Sequence, residues 1–187
     1  MQSESPDALL AVIEVTGRGR QAAAVIPDFD AVLAHERAFV LALYGREEEA
    51  RAMLDSVDWS TRSLPVQAVR DSTEALINCL CSRRYTEALA MARAARGDAT
   101  TPSAWSQTAS FPQTVVNLAE ALLGYRSLAS EAKLPALQAP LLRLVTAYGL
   151  WVANDRAGNF ERAAGLRAVL DAEAPHCEPL KSAPREA

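Results

Sequence analysis

Apolar residues along this chain recur at intervals of three and four, and turn-forming residues cut that pattern into successive segments of helical length. The clearest case is the stretch from Leu141 to Pro175. It reads as an apolar helix, a turn at Ala157-Gly158-Asn159 and a second helix closed by a proline. Upstream, Asp28 stands where it can cap a helix carrying Val32, Phe39, Val40 and Leu43, which stops near Tyr44-Gly45. Glu47-Glu48-Glu49 then falls in the first turn of a second helix, where negative charge suits the helix dipole. Ala50, Met53, Leu54 and Val57 give that helix its apolar side, and Asp58-Trp59-Ser60-Thr61 reads as its exit loop.

A further helix starts near Ser63-Leu64-Pro65, with one stripe made of Val66, Val69, Leu76, Ile77 and Leu80. Gln67, Arg70, Asp71, Glu74 and Asn78 form its expected solvent side. Ala68, Ser72, Ala75 and Cys79 make a third, small-residue face, which predicts close neighbours on two sides. Its companion runs from about Arg84 to Arg96 and ends at Gly97. Residues 97–110 are polar and turn-rich, and read either as a long joining loop or as a functional one around Trp105. The next helix begins at Phe111-Pro112, carries Val115, Leu118, Ala119 and Leu122 inward, and is expected to continue past Gly124 towards Ala132. Pro135 and Pro140 frame the connection that follows.

Three parts result: an N-terminal helix or arm over 1–27, an α-helical domain over 28–175, and a frayed tail over 176–187. Within the first part, Ser5-Pro6-Asp7 is a helix start, whereas Val12-Ile13 and Val25-Ile26 also suit short extended pieces.

The second helices share a register. Gly45 to Ala50, Arg83 to Ala88 and Gly158 to Ala163 align, with alanines 38 and then 75 positions apart. A period of about 37 to 38 belongs to helical-hairpin arrays, in which a small side chain is needed where the two helices of a hairpin cross. These residues resemble the tetratricopeptide repeat family: Gly158, Phe160, Ala163 and Pro175 in the last unit, Ala38, Leu41, Gly45 and Ala50 in the first. Other positions depart from it. Leu76 and Trp151 stand where the family has a small residue, and Ala92 and Arg167 where it has a large one. The period also exceeds the family's roughly 34 residues, and the unit expected around residue 125 is hard to discern.

The resemblance implies an all-α fold of stacked antiparallel hairpins in a TPR-like right-handed superhelix, with a non-repeating helical bundle as the alternative. It further implies a non-enzymatic interaction module: an adaptor, co-chaperone or assembly factor with a concave groove for a peptide or amphipathic helix. Small bacterial secretion chaperones, which cradle a helical client, fall within the same likeness. The groove candidates are Arg37 on one first helix, Gln67, Arg70, Asp71 and Asn78 on the next, Asn117 and Glu120 on a third, and Arg143 and Asn154 on the last.

Composition narrows the alternatives. With 50% apolar residues and only 6% aromatics, the chain suits packed helices better than a β sandwich. A formal charge of −4 without a basic cluster argues against nucleic-acid binding. No window is apolar enough to span a bilayer, the acidic start is unlike a secretory signal, and three cysteines give no disulfide framework. A cytoplasmic protein is therefore expected.

Candidate chemistry is sparse. Cys79-Leu80-Cys81 resembles a metal or redox motif, but residues two apart on a helix point about 200° from each other. His176-Cys177 has no third ligand nearby, and His35-Glu36 lacks the histidine four residues on, where Phe39 stands. Gly17-Arg18-Gly19 lacks phosphate-loop spacing, and Asp55, Asp58 and Glu47 to Glu49 read as solvated helix ends. No cofactor or metal is expected. Two other readings stay open: an α-helical enzyme or small-ligand sensor with a pocket near the 97–110 loop, and a self-associating structural subunit.

Overall fold

A computed structural model describes residues 7, 8, 10, 11, 28–98, 110–125, 134 and 140–182. These residues are all-α, with seven helices and no strand among them. In chain order they are α1 (Phe29–Leu43), α2 (Glu47–Asp55), α3 (Leu64–Ile77), α4 (Tyr85–Asp98), α5 (Ser110–Leu122), α6 (Pro140–Arg156) and α7 (Phe160–Glu173). Short 3-10 turns occupy Trp59–Thr61 and Glu178–Leu180, and a π turn at Asn78–Ser82 extends α3. The readings of 1–27 and of the 97–110 loop fall almost wholly outside the described residues.

Turns of one kind end α1, α5 and α6. Gly45, Gly124 and Gly158 take φ of 75°, 78° and 78°. At all three, the N–H of the next residue reaches back to a carbonyl five residues earlier: Arg46 to Leu41, Tyr125 to Glu120 and Asn159 to Asn154. Glycine suits this left-handed closure, in which the orphan carbonyls at the helix end are satisfied. It also stops α5 at Leu122, so the helix expected to pass Gly124 does not. Between α3 and α4 the same place is taken by Arg83, at φ 58°.

Each helix packs on its neighbour in sequence, and α3 also touches α1 and α5. The two buried faces expected of α3 are present. Leu76 and Ile77 are buried on one side, Ala68, Ser72, Ala75 and Cys79 on the other. Between helices the alanines at the crossings, Ala50, Ala88 and Ala163, are all buried. The rings of His35, Phe39 and Phe111 join α1 to α5, with centroids 5.1 to 6.0 Å apart.

Two expectations need correction. Asp28 makes no side-chain cap; it sits at φ 61° and its carboxylate accepts from Arg62 at 3.0 Å. The pull of that guanidinium outweighs capping. The tail, read as frayed from His176 onward, is instead docked through residue 182. Cys177 and Leu180 are buried in the same core as Phe39 and Leu76. Tyr148 donates its phenol proton to the Ser182 carbonyl at 3.0 Å, and Arg167 donates to the carbonyls of Leu180 and Lys181 at 2.9 and 2.7 Å. This strap reaches the first hairpin, where Pro179 lies against Gly45.

Trp151 and Arg167, which break the repeat pattern, answer each other. The Arg167 guanidinium lies 4.8 Å from the Trp151 ring centre, a cation–π contact.

Candidate functional site

The described residues bring three of the expected groove residues together. Gln67, Arg70 and Asp71 of α3 line a cleft of about 420 Å³ whose opposite wall is Leu54, Asp55, Val57, Trp59 and Ser60. The wall is held locally. Asp58 accepts the Ser60 N–H at 3.1 Å and the Ser60 hydroxyl at 2.6 Å, which closes the 3-10 turn and depresses the Asp58 carboxyl. That turn lets Trp59 fold back, bury its ring and donate its indole N–H to the Leu54 carbonyl at 2.6 Å. Gln67 donates to the Arg62 carbonyl at 2.7 Å and so ties α3 to the same turn.

A ladder of alternating charge leaves the cleft along α3. Arg70 pairs with Asp71 at 3.0 Å and with Glu74 at 3.3 Å. Glu74 meets Arg51 of α2 at 3.6 Å, and Arg51 reaches Glu47 at 3.0 Å, Asn78 at 2.8 Å and Ser82 at 3.1 Å. The Ser82 hydroxyl also donates to Glu47, which holds that carboxyl below its usual range. Charges this exposed add little stability singly. Their effect is to fix the orientation of the cleft's rim.

The other expected residues lie elsewhere. Asn78 and Asn154, assigned to solvent, are buried. Asn78 is drawn inward by Arg51 and by Met91, whose sulfur accepts from its amide at 3.5 Å. The Asn154 amide donates to the Leu150 carbonyl at 2.7 Å, and its carbonyl accepts from Asn159, so it braces the α6–α7 turn. Glu120 pairs with Arg93 of α4 at 2.9 Å, Asn117 accepts from Gln113 at 2.7 Å, and Arg143 pairs with Glu173 of α7 at 3.1 Å. Arg37 is half-buried on α1, away from the cleft lining.

Among the described residues, His35 and the three cysteines are held in enclosed local contacts. The Thr73 hydroxyl donates to the Val69 carbonyl at 2.7 Å, so the His35 Nδ1–H donates to the Thr73 hydroxyl oxygen, also at 2.7 Å. Enclosure between rings lowers the His35 pKa to about 4. Burial pushes the thiols up, Cys81 and Cys177 to about 11 and Cys79 further still, so all three stay protonated. No described group of three or more His, Cys, Asp or Glu residues is placed to hold a metal ion. No helix among the described residues is long and apolar enough to cross a membrane.

A second cavity, of about 360 Å³, opens between the first hairpin turn, the π turn and the strap. Sequence reasoning missed it as a site, because its walls come from four separate places in the chain. Comparison with known proteins gives no match to a family model, a curated protein or a solved structure.

Proposed function

We propose that this chain is a non-enzymatic protein–protein interaction module, an adaptor, co-chaperone or assembly factor built as a TPR-like right-handed superhelix of hairpins. The observation that carries this reading is the cleft between α2 and α3. Val57, with the edges of the buried Leu54 and Trp59, is its apolar part, while Asp55, Gln67, Arg70 and Asp71 give it a polar rim of both charge signs. Such a cleft suits one apolar anchor of a peptide or amphipathic helix, with flanking polar groups setting register. The alternation of Asp71, Arg70 and Glu74 along the rim favours a client segment carrying charges of both signs.

The test is capture from native lysate by the wild-type chain and by Arg70→Ala and Asp71→Ala chains, followed by reconstitution with the identified segment as a synthetic peptide. Wild type should retain a partner that both variants release, at unchanged melting temperature. A chain that stays monomeric, captures nothing and turns over a small molecule would sink the proposal.

A further inference from the structure

The second cavity carries a binding site of a different kind. Arg83 stands on its rim in the left-handed conformation, at the place where the other described turns use Gly45, Gly124 and Gly158. That backbone costs an L-residue and not a glycine, so the side chain is kept where local sterics disfavour it. The π turn before it, Asn78–Ser82, closes with the Arg83 N–H on the Asn78 carbonyl, which also accepts the Arg84 N–H at 2.9 Å. π turns of this sort concentrate at functional sites.

The charge balance of the cavity is one-sided. Glu47 is already answered by Arg51 at 3.0 Å and by Ser82, and Glu178 by Lys181 at 2.5 Å. Arg83 is exposed and forms no ion pair among the described residues. Arg83 is itself part of the cavity lining, beside Tyr85 and Tyr148. The phenols themselves are pushed up by burial and stay protonated. Tyr148 is committed to Ser182, and the side chains of Leu80, Tyr85 and Pro179 line the cavity beside it.

We propose that this cavity binds a small organic monoanion, an aromatic or aliphatic carboxylate, held at its charged end by Arg83 and along its body by Leu80, Tyr85, Tyr148 and Pro179. A guanidinium matches a carboxylate in two parallel hydrogen bonds. Inorganic phosphate has no organic body to lie along Leu80, Tyr85, Tyr148 and Pro179. The cavity lies at the lower end of the roughly 300–1,000 Å³ found for small-ligand pockets, which suits a single ring or a short chain.

Calorimetric titration of the full chain with benzoate, phenylacetate and hexanoate tests this, with benzamide and inorganic phosphate as controls. At least one carboxylate should bind with a Kd below about 1 mM. Arg83→Gly should weaken it by about tenfold or more, while melting no lower than wild type because the glycine relieves the turn. The proposal is overturned if all three carboxylates bind more weakly than about 1 mM. It is equally overturned if benzamide or phosphate binds as tightly as the best carboxylate, or if Arg83→Gly leaves affinity unchanged.

Discussion

At the scale of single residues, the fold uses small buried side chains and one histidine that burial holds neutral near pH 7. Ala163 of α7 is buried, so a larger side chain has to displace its neighbours. Ala163→Leu should cost about 1–3 kcal/mol by overpacking, read as a lower denaturation midpoint at unchanged slope. An unchanged midpoint means that the shared alanine register has no structural role. His35 gives a pH dependence of known sign. Its folded pKa of about 4 lies below the ordinary 6.5, so above pH 6.5 the ring is neutral folded or unfolded and the effect vanishes. Below that, the unfolded chain takes up a proton that the fold resists, and stability is lost progressively as pH falls from 6.5 towards 4. At about pH 5 the loss is on the order of 2 kcal/mol relative to pH 7, and His35→Phe should remove that difference. Equal pH profiles for the two chains contradict the enclosed, neutral ring.

At the scale of elements, hairpin turns and strap do separate jobs. Gly158 sits at φ 78° with open space around the place a Cβ would take. Gly158→Ala therefore tests backbone strain alone and should cost about 1 kcal/mol in denaturant melts. The strap is tested by Leu180→Ala, which empties a fully enclosed site and should cost about 2–5 kcal/mol; a frayed tail would give no change. These elements also mark what the sequence could disclose. Gly45, Gly158, Ala50 and Ala163 were legible because each answers a local demand, a left-handed φ or a tight crossing. Leu180 was not, since a lone leucine among polar and proline residues signals nothing until Arg167 and Tyr148 supply donors for the carbonyls of Leu180 and Ser182. Asn78 and Asn154 looked solvated by helical position. Their burial depends on Arg51, Met91 and Asn159, which reach them through tertiary folding. Arg83 gave no warning either, because arginine has no preference for the conformation it holds. Gln67, Arg70 and Asp71, which line the α2–α3 cleft, stand on the polar stripe that the sequence of α3 displays, whereas the Trp59 wall rests on a 3-10 turn that reads only as a loop.

At the scale of the whole molecule, the strap joins the last hairpin to the first, and one buried cluster runs from Phe39 to Leu180. A smaller cluster under Trp59 contains Leu41, Leu54 and Ile77 and underlies the α2–α3 cleft. The two candidate sites thus sit on different parts of the core, and the charge ladder through Glu74, Arg51 and Glu47 runs between them. A protein segment held in the α2–α3 cleft shields the amides beneath it, and amide hydrogen exchange on the full chain, with and without the co-purified segment, reads that directly. Protection should be gained over residues 54–71, covering the end of α2, the Trp59 turn and the first half of α3, with little change in α6 and α7. Protection confined to α6 and α7, or none anywhere at saturating segment, contradicts it.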